Sequence, residues 1–285
     1  MSVVGFIVHE GRPAAVDAAA VLGAALADAG VTVVQGRDPD DGAAAELIVT
    51  IGGDGTFLRG AHVAAELDCP VLGVKVGRLG FLTEVEPDEA LDLIRDALAG
   101  RASIEERLAA TACSEGGEEF VPEWALNEIM VEKGARHRLI RLGVEVDGEY
   151  VTTFSADGVV VATPTGSTAY SFSARGPIVS PEVPCLVLTP IAAHMVFDRS
   201  FVLGADQHVV LEVVGDEPGL LSADGRESVE LPVGSRARIG AAERPARLVR
   251  RAGAPAFLSR VRDKFELPGD PTDADDDGGV VGTAG

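Results

Sequence analysis

The sequence predicts an α/β N-terminal domain with a parallel sheet, followed by a C-terminal all-β sandwich domain, with a C-terminal segment packing back on the first domain. Three observations carry this. Over the first hundred residues short apolar runs alternate with helical patterns, which reads as βαβ units. From Ile104 to about Val249 the helical pattern nearly vanishes, and β-rich runs are separated by Gly, Pro and Asp-Gly pairs. Helical character returns at Ala256 to Phe265.

Taken in order, Val3 to Val8 is a β-branched run of buried-strand length. Pro13 to Ala29 is an alanine-rich helix with proline near its start and Gly30 just past its end. Val31 to Val34, Leu47 to Ile51 and Val71 to Val74 are further strands. Helices are expected at Thr56 to Leu67 and at Pro87 to Ala99, so the sheet is covered on both faces. In the second domain, Leu139 to Val146, the Asp147-Gly148 pair and Tyr150 to Phe154 read as a hairpin. The expected boundaries are 1–100 for the α/β domain, 101–255 for the sandwich and 256–267 for the returning helical segment. Residues 268–285, with five Asp and no basic residue, are expected to form a disordered acidic tail.

Length is compatible with two domains: the chain has 285 residues. Its formal net charge is -21, with 45 acidic against 24 basic residues, which argues against an extended contact with nucleic-acid phosphates. The bases are three lysines and 21 arginines. An acidic surface nearly emptied of lysine suits a saline cytoplasm, where salt screens self-repulsion within a few ångströms. Cys69, Cys113 and Cys185 lack pairing or metal-ligand spacing and read as small apolar residues in a reducing compartment. No apolar stretch is long enough for a membrane span, and a cytoplasmic protein is expected.

Gly52, Gly53, Asp54, Gly55 and Thr56 stand between a strand and a helix. The glycines let successive N–H groups turn toward an anion beside a helix N-terminus. Neither a Walker A loop nor a G-x-G-x-x-G fingerprint is present; His9 to Pro13 stand where the latter would be. Asp54 is out of place in a simple phosphate nest, because like charges ~4 Å apart cost roughly 4 kcal/mol at an effective dielectric of ~20. Its presence makes sense if it takes a proton from an attacking hydroxyl or engages a metal riding on the phosphates; otherwise it caps a tight strand-to-helix turn.

A second glycine cluster, Gly73, Gly77 and Gly80, ends another strand at the same sheet edge and makes a crevice with the first. Phe81 beside it is either a core side chain or a stacking platform. In the β domain, Thr163 to Ser173 carries seven hydroxyls. That loop suits ribose and phosphate oxygens, with Tyr170 to lie against a base, although a plain polar hairpin loop has the same composition. Asn127, Glu128 and Asp157 sit in apolar strand segments and need partners there.

Together these segments resemble the NAD kinase family: Gly52 to Thr56 (GGDGT), Gly77 to Glu84 (GRLGFLTE), Asn127-Glu128, and Asp157-Gly158 leading to Thr163 to Tyr170 (TPTGSTAY). GGDG loops are shared with lipid and sugar kinases, whereas TPTGSTAY is highly specific. The composition suggests a haloarchaeal-type member. The resemblance implies phosphorylation of the 2'-hydroxyl of the NAD adenosine ribose by ATP or polyphosphate, giving NADP, with a divalent metal such as Mg²⁺ and no dedicated set of protein metal ligands. It implies homodimers or homotetramers whose neighbour helps to close the NAD site. By matching position Asp54 is the general base, with Gly55 beside it. Asn127 and Glu128 hold the nicotinamide-side ribose. Asp157 and Thr168, Ala169, Tyr170, Ser171, Phe172 and Ser173 contact the adenosine portion, and Phe81 packs near the adenine. Arg59, Arg138, Ser155 and Ala192 also fall at ligand-contacting positions.

The chain departs from the family pattern in carrying Lys75 for Asn, Arg175 for the first Gly of Gly-Gly-Pro-Ile, no Cys-Pro before His194, and Arg226 for Gln. These positions bear on donor preference and on NAD against NADH. A diacylglycerol-type lipid kinase and a non-catalytic dinucleotide sensor are the alternatives; the negative charge disfavours anionic membrane surfaces, and Asp54 disfavours the sensor.

Overall fold

The computed structural model describes residues 2–35, 45–77, 80–116, 120, 123–135 and 137–268. Arg78 and Leu79 of the GRLGFLTE segment, and the expected acidic tail from residue 269, lie outside the described residues. Three six-stranded sheets form the frame.

The first runs β2 (Thr32–Gln35), β1 (Val3–Val8), β3 (Leu47–Gly52), β4 (Val71–Lys75), β18 (Ala246–Arg250) and β5 (Ser103–Arg107). It is parallel except for the last pair. Its helices are α1 (Pro13–Asp28), α2 (Asp54–Leu67) and α3 (Pro87–Leu98). Pro13 opens α1, and Gly30, at φ 77°, follows its end. Strands β3 and β4 are almost wholly buried because α1 and α3 cover one face and α2 the other. Helix α2 starts two residues earlier than the expected Thr56, since the Gly53 carbonyl already accepts the Thr56 and Phe57 amides at 3.0 Å.

Strands β5 and β18 correct the expected boundaries. Sequence position puts both in the sandwich domain, yet they complete the first sheet. Leu248 pairs with Val71, and Val249 joins the core formed by Val4, Val74 and Ile94. A short alternating run looks the same whichever sheet it joins, so only the partner decides.

The sandwich consists of β10 (Glu149–Ala156), β9 (Ile140–Val146), β14 (Val209–Val213), β17 (Arg236–Ala241), β6 (Ala110–Gly116) and β7 (Glu123–Ala125), facing β13 (Phe201–Gly204), β12 (Cys185–Ile191), β11 (Gly158–Ala162), β8 (Glu128–Lys133), β15 (Gly219–Ala223) and β16 (Val229–Leu231). Every pair is antiparallel. Asp147 and Gly148 both take positive φ, the geometry of the expected hairpin. Strand β11 is buried on both faces. Val159 and Val161 enter the sandwich core, while Val160 and Ala162 pack under Met130, Val179 and Ile191. It leads into the hydroxyl-rich loop, a 3₁₀ turn at Gly166–Thr168 and the short helix α4 (Tyr170–Ser173). Helix α5 (Phe257–Lys264) then returns to the first domain, where Arg260 donates to the Thr83 carbonyl and to Glu84.

Candidate functional site

In the first sheet the chain passes from β1 to β2 on one side and from β2 to β3 on the other. The order therefore reverses between β1 and β3, and a crevice opens at their C-terminal ends. A cleft of about 640 Å³ occupies it, lined by His9 to Arg12 after β1 and by Gly53, Gly55, Thr56 and Arg59 at the start of α2. The first turn of α2 has no side-chain cap, so its N–H groups face an anion-sized opening. The two glycine loops do meet: Val76 donates to the Gly52 carbonyl at 2.9 Å, and the Arg12 guanidinium donates to the Val76 carbonyl.

Asp54 does not cap its own helix. Its Oδ2 accepts the Phe81 amide at 2.9 Å and its Oδ1 accepts the Leu82 amide at 3.2 Å. The carboxylate is thus fixed between the helix start and the GRLGFLTE loop. Gly80 makes room for it, because a Cβ there would collide with both carboxylate oxygens. Phe81 shows the packed character of its two expected readings. It packs against Phe257 and Phe265 of the returning segment, with ring centroids 6.4 and 6.0 Å away, and remains half-buried.

Asn127 and Glu128 stand at the start of β8, and their orientation comes from a residue outside the expected set. Asp224 accepts the amides of Leu126, Asn127 and Glu128 at 2.8, 2.8 and 3.1 Å. Its own carboxyl is pushed up by burial, against which those three donors work. The Glu128 carboxyl is pushed up to about 8 by burial first and by the Asp224 charge second, with the Tyr170 amide pulling the other way. Its Oε2 is sealed from solvent without a partner. The hydroxyl loop clamps the same backbone. Thr163 donates its amide to Asn127 and its hydroxyl to Leu126, and Gly166 lies so close to the Asn127 carbonyl that no side chain fits. Thr168 to Ser173 are thereby brought beside Asn127 and Glu128, although Ser171 is fully buried, its hydroxyl bonded to Thr189 at 3.1 Å.

Four expected residues lie elsewhere. Asp157 precedes β11 and Thr163 follows it, so the five residues of that strand hold them roughly 20 Å apart at ~3.3 Å per residue. At the Asp157 end are Lys133, which pairs with it, Ser155, whose carbonyl accepts the His194 amide, Ala192, and Arg138, bonded to Glu217. Arg138, Ser155, Asp157 and Ala192 therefore form a second cluster at the opposite end of the sandwich from Asn127. The expected set also lacks Asp224, His9 and Arg12. The Asp224-Gly225 pair and the position of His9 to Arg12 after the first strand were the available signals.

The chain matches the ATP-NAD kinase N-terminal domain over residues 35–102 and the ATP-NAD kinase C-terminal domain over residues 126–251. The chain belongs to the NAD kinase family. It is 40% identical over 283 residues to "NAD kinase 2" of Streptomyces coelicolor, covering 92% of this chain and 93% of that one. It is also 40% identical to the NAD kinase of Thermobifida fusca, covering 92% and 88%. Among solved structures it resembles an NAD kinase from Archaeoglobus fulgidus in complex with ATP, with TM-score 0.72, 27% identity and coverage of 93% and 97%. Yeast NADH kinase complexed with NADH shares the fold, with TM-score 0.84 at 23% identity, covering 95% and 89%.

The family's departures acquire structural meaning here. Lys75 pairs with Glu86 at 2.5 Å. Arg226 reaches Glu123, the Trp124 carbonyl and His62, tying the late hairpin to α2 across the two domains. Arg175 stands at φ 69°, a left-handed conformation that explains why glycine suits the position.

Proposed function

We propose that this chain transfers a phosphoryl group from ATP to the 2'-hydroxyl of the adenosine ribose of NAD, giving NADP. One observation supports this most: a carboxylate, Asp54, is held by two backbone amides and stands between Gly53 and Gly55, which line a switch-point cleft at a helix N-terminus. The triphosphate lies in the cleft against the α2 amides and Arg59, and NAD lies along Asn127, Glu128 and Thr168 to Ser173. Asp54 accepts the 2'-hydroxyl proton as the bond to phosphorus forms, a contribution of ~10²- to 10⁴-fold. The fixed loop amides keep its lone pairs directed without reorganisation at that moment.

Among the described residues no three His, Cys, Asp or Glu side chains converge into a metal cage. Mg²⁺ needs none, since the donor phosphates and water can supply its oxygens, which leaves Asp54 free to act as the base. Bound on the phosphates, the ion would neutralise part of their charge.

The second cluster, Arg138, Ser155, Asp157 and Ala192, is too far along β11 to reach the same nucleotide. It serves the site of a neighbouring copy in a homodimer or homotetramer. A cytoplasmic setting fits three unpaired thiols. Among the described residues no helix is long and apolar enough to cross a membrane. The charge of -21 suits a saline interior, while the curated relatives at 40% identity, from Streptomyces coelicolor and Thermobifida fusca, give the expected haloarchaeal kinship no support.

A donor-by-acceptor matrix in molar KCl with Mg²⁺ tests the reading: ATP or polyphosphate against NAD, NADH or a lipid alcohol. NADP formed from ATP and NAD is expected. Turnover only on the lipid alcohol, or binding of NAD without any turnover, overturns it.

A further inference from the structure

Behind the Phe81 loop, at the seam between the two domains, lies a cavity of about 240 Å³ that shares Phe81 and Thr168 with the proposed nucleotide site and is otherwise lined by residues outside it. Three arginines from different elements line it: Arg107 on β5, Arg250 on β18 and Arg260 on α5. Two are almost sealed from solvent, at 6% exposure for Arg107 and 5% for Arg260. Two carboxylates answer them. Glu84 takes Arg250 and Arg260, and Glu105 takes Arg107 and Arg250. Glu182 stands on the rim, exposed, and pairs with none of the three. The buried cluster therefore holds one positive charge more than its partners neutralise, an arrangement that is costly without a counter-charge.

Two further observations point to what supplies it. The Arg260 Nε is buried with no hydrogen-bond partner. Helix α5 begins at the cavity, with Ala256 and Phe257 in its wall and no side-chain cap on its first turn. Burial holds the Arg250 guanidinium below its usual value, and the neighbouring charges of Arg260 and Arg107 add to this against the pull of Glu84 and Glu105.

We propose that this seam cavity is an anion site that takes a compact phosphoryl oxyanion, orthophosphate or pyrophosphate, on Arg107, Arg250 and Arg260. Guanidinium groups match phosphate oxygens, and the β domain brings the Thr165 hydroxyl, which Arg107 already reaches at 3.2 Å, together with those of Thr168 and Ser180. The volume admits one or two phosphates but no nucleotide. Because Phe81 and Leu82 form one wall and also hold Asp54, the anion braces the loop that aims the carboxylate. This last consequence rests on the role proposed for Asp54; the binding itself does not.

Calorimetric titration of the full chain with orthophosphate and, separately, pyrophosphate at fixed ionic strength reads binding without turnover. Ser180→Glu places a carboxylate in the cavity and is expected to weaken binding at least ~10-fold; Glu182→Gln removes a rim charge and is expected to tighten it about 2- to 5-fold. Phosphate held instead by the glycine loop of α2 responds to neither change. Absence of saturable binding of both anions, or an affinity that Glu182→Gln leaves unchanged, overturns the proposal, and the second reading survives any failure of Ser180→Glu to fold. Loss of NADP formation with binding intact would sink the kinase reading and leave this one standing.

Discussion

Asp54 is positioned by Phe81 through main chain rather than side chain: the Phe81 amide donates to Oδ2 at 2.9 Å while its ring packs into the Phe257 and Phe265 cluster. The returning helix α5 thereby anchors the loop that holds the carboxylate.

Replacing Asp54 by Asn keeps one acceptor oxygen but removes the base and sets an NH₂ group against a loop amide. Steady-state rates should show kcat lowered ~10²- to 10⁴-fold with the KM for NAD changed only a few-fold. A kcat within twofold of the unaltered enzyme removes Asp54 from the role.

Gly80→Ala tests the same relationship without touching the carboxylate. A methyl group there collides with both Asp54 oxygens and must displace them. We expect a kcat loss comparable to that of Asp54→Asn, with NAD binding retained. Normal turnover in a folded variant would show that the fixed direction of Asp54 is unimportant.

The Glu128 carboxyl sits near 8 in the folded chain against 4.5 when unfolded. Below 4.5 both states are protonated; between 4.5 and 8 only the unfolded state ionises, so unfolding releases a proton and stability falls as pH rises through this window, levelling off above it. Asp224 is raised too and acts with the same sign. In ligand-free protein, Glu128→Gln removes the Glu128 part. Its melting temperature should gain on the parent steadily from pH 5 to pH 8, and a gap that does not widen refutes the assignment.

Arg175 adopts φ 69° with an exposed side chain. Arg175→Gly should relieve the left-handed strain and stabilise the fold by about 1 kcal/mol, read as a higher denaturation midpoint at unchanged m-value. A lower midpoint would mean that the arginine side chain contributes more than its backbone costs.

Much of the architecture could be read directly. The βαβ alternation, the Asp147-Gly148 turn and the helical character after Ala256 each depend on neighbours a few residues apart, where periodicity and turn chemistry act. Strands β5 and β18 could not be placed that way, because their partners are fixed by burial of Leu248 and Val249 against a core assembled from the far end of the chain.

The same division runs through the site. By itself the sequence determined the glycine loop with its carboxylate, the Asn-Glu pair and the hydroxyl loop, since those residue types at those spacings carry their chemistry locally. Only the tertiary structure decided that Asp54 faces the Phe81 and Leu82 amides, that Asp224 orients Asn127 and Glu128, and that Asp157 and its companions occupy the other end of β11. Direction and separation in space arise from contacts between residues from about thirty to nearly a hundred positions apart, and no local pattern encodes them.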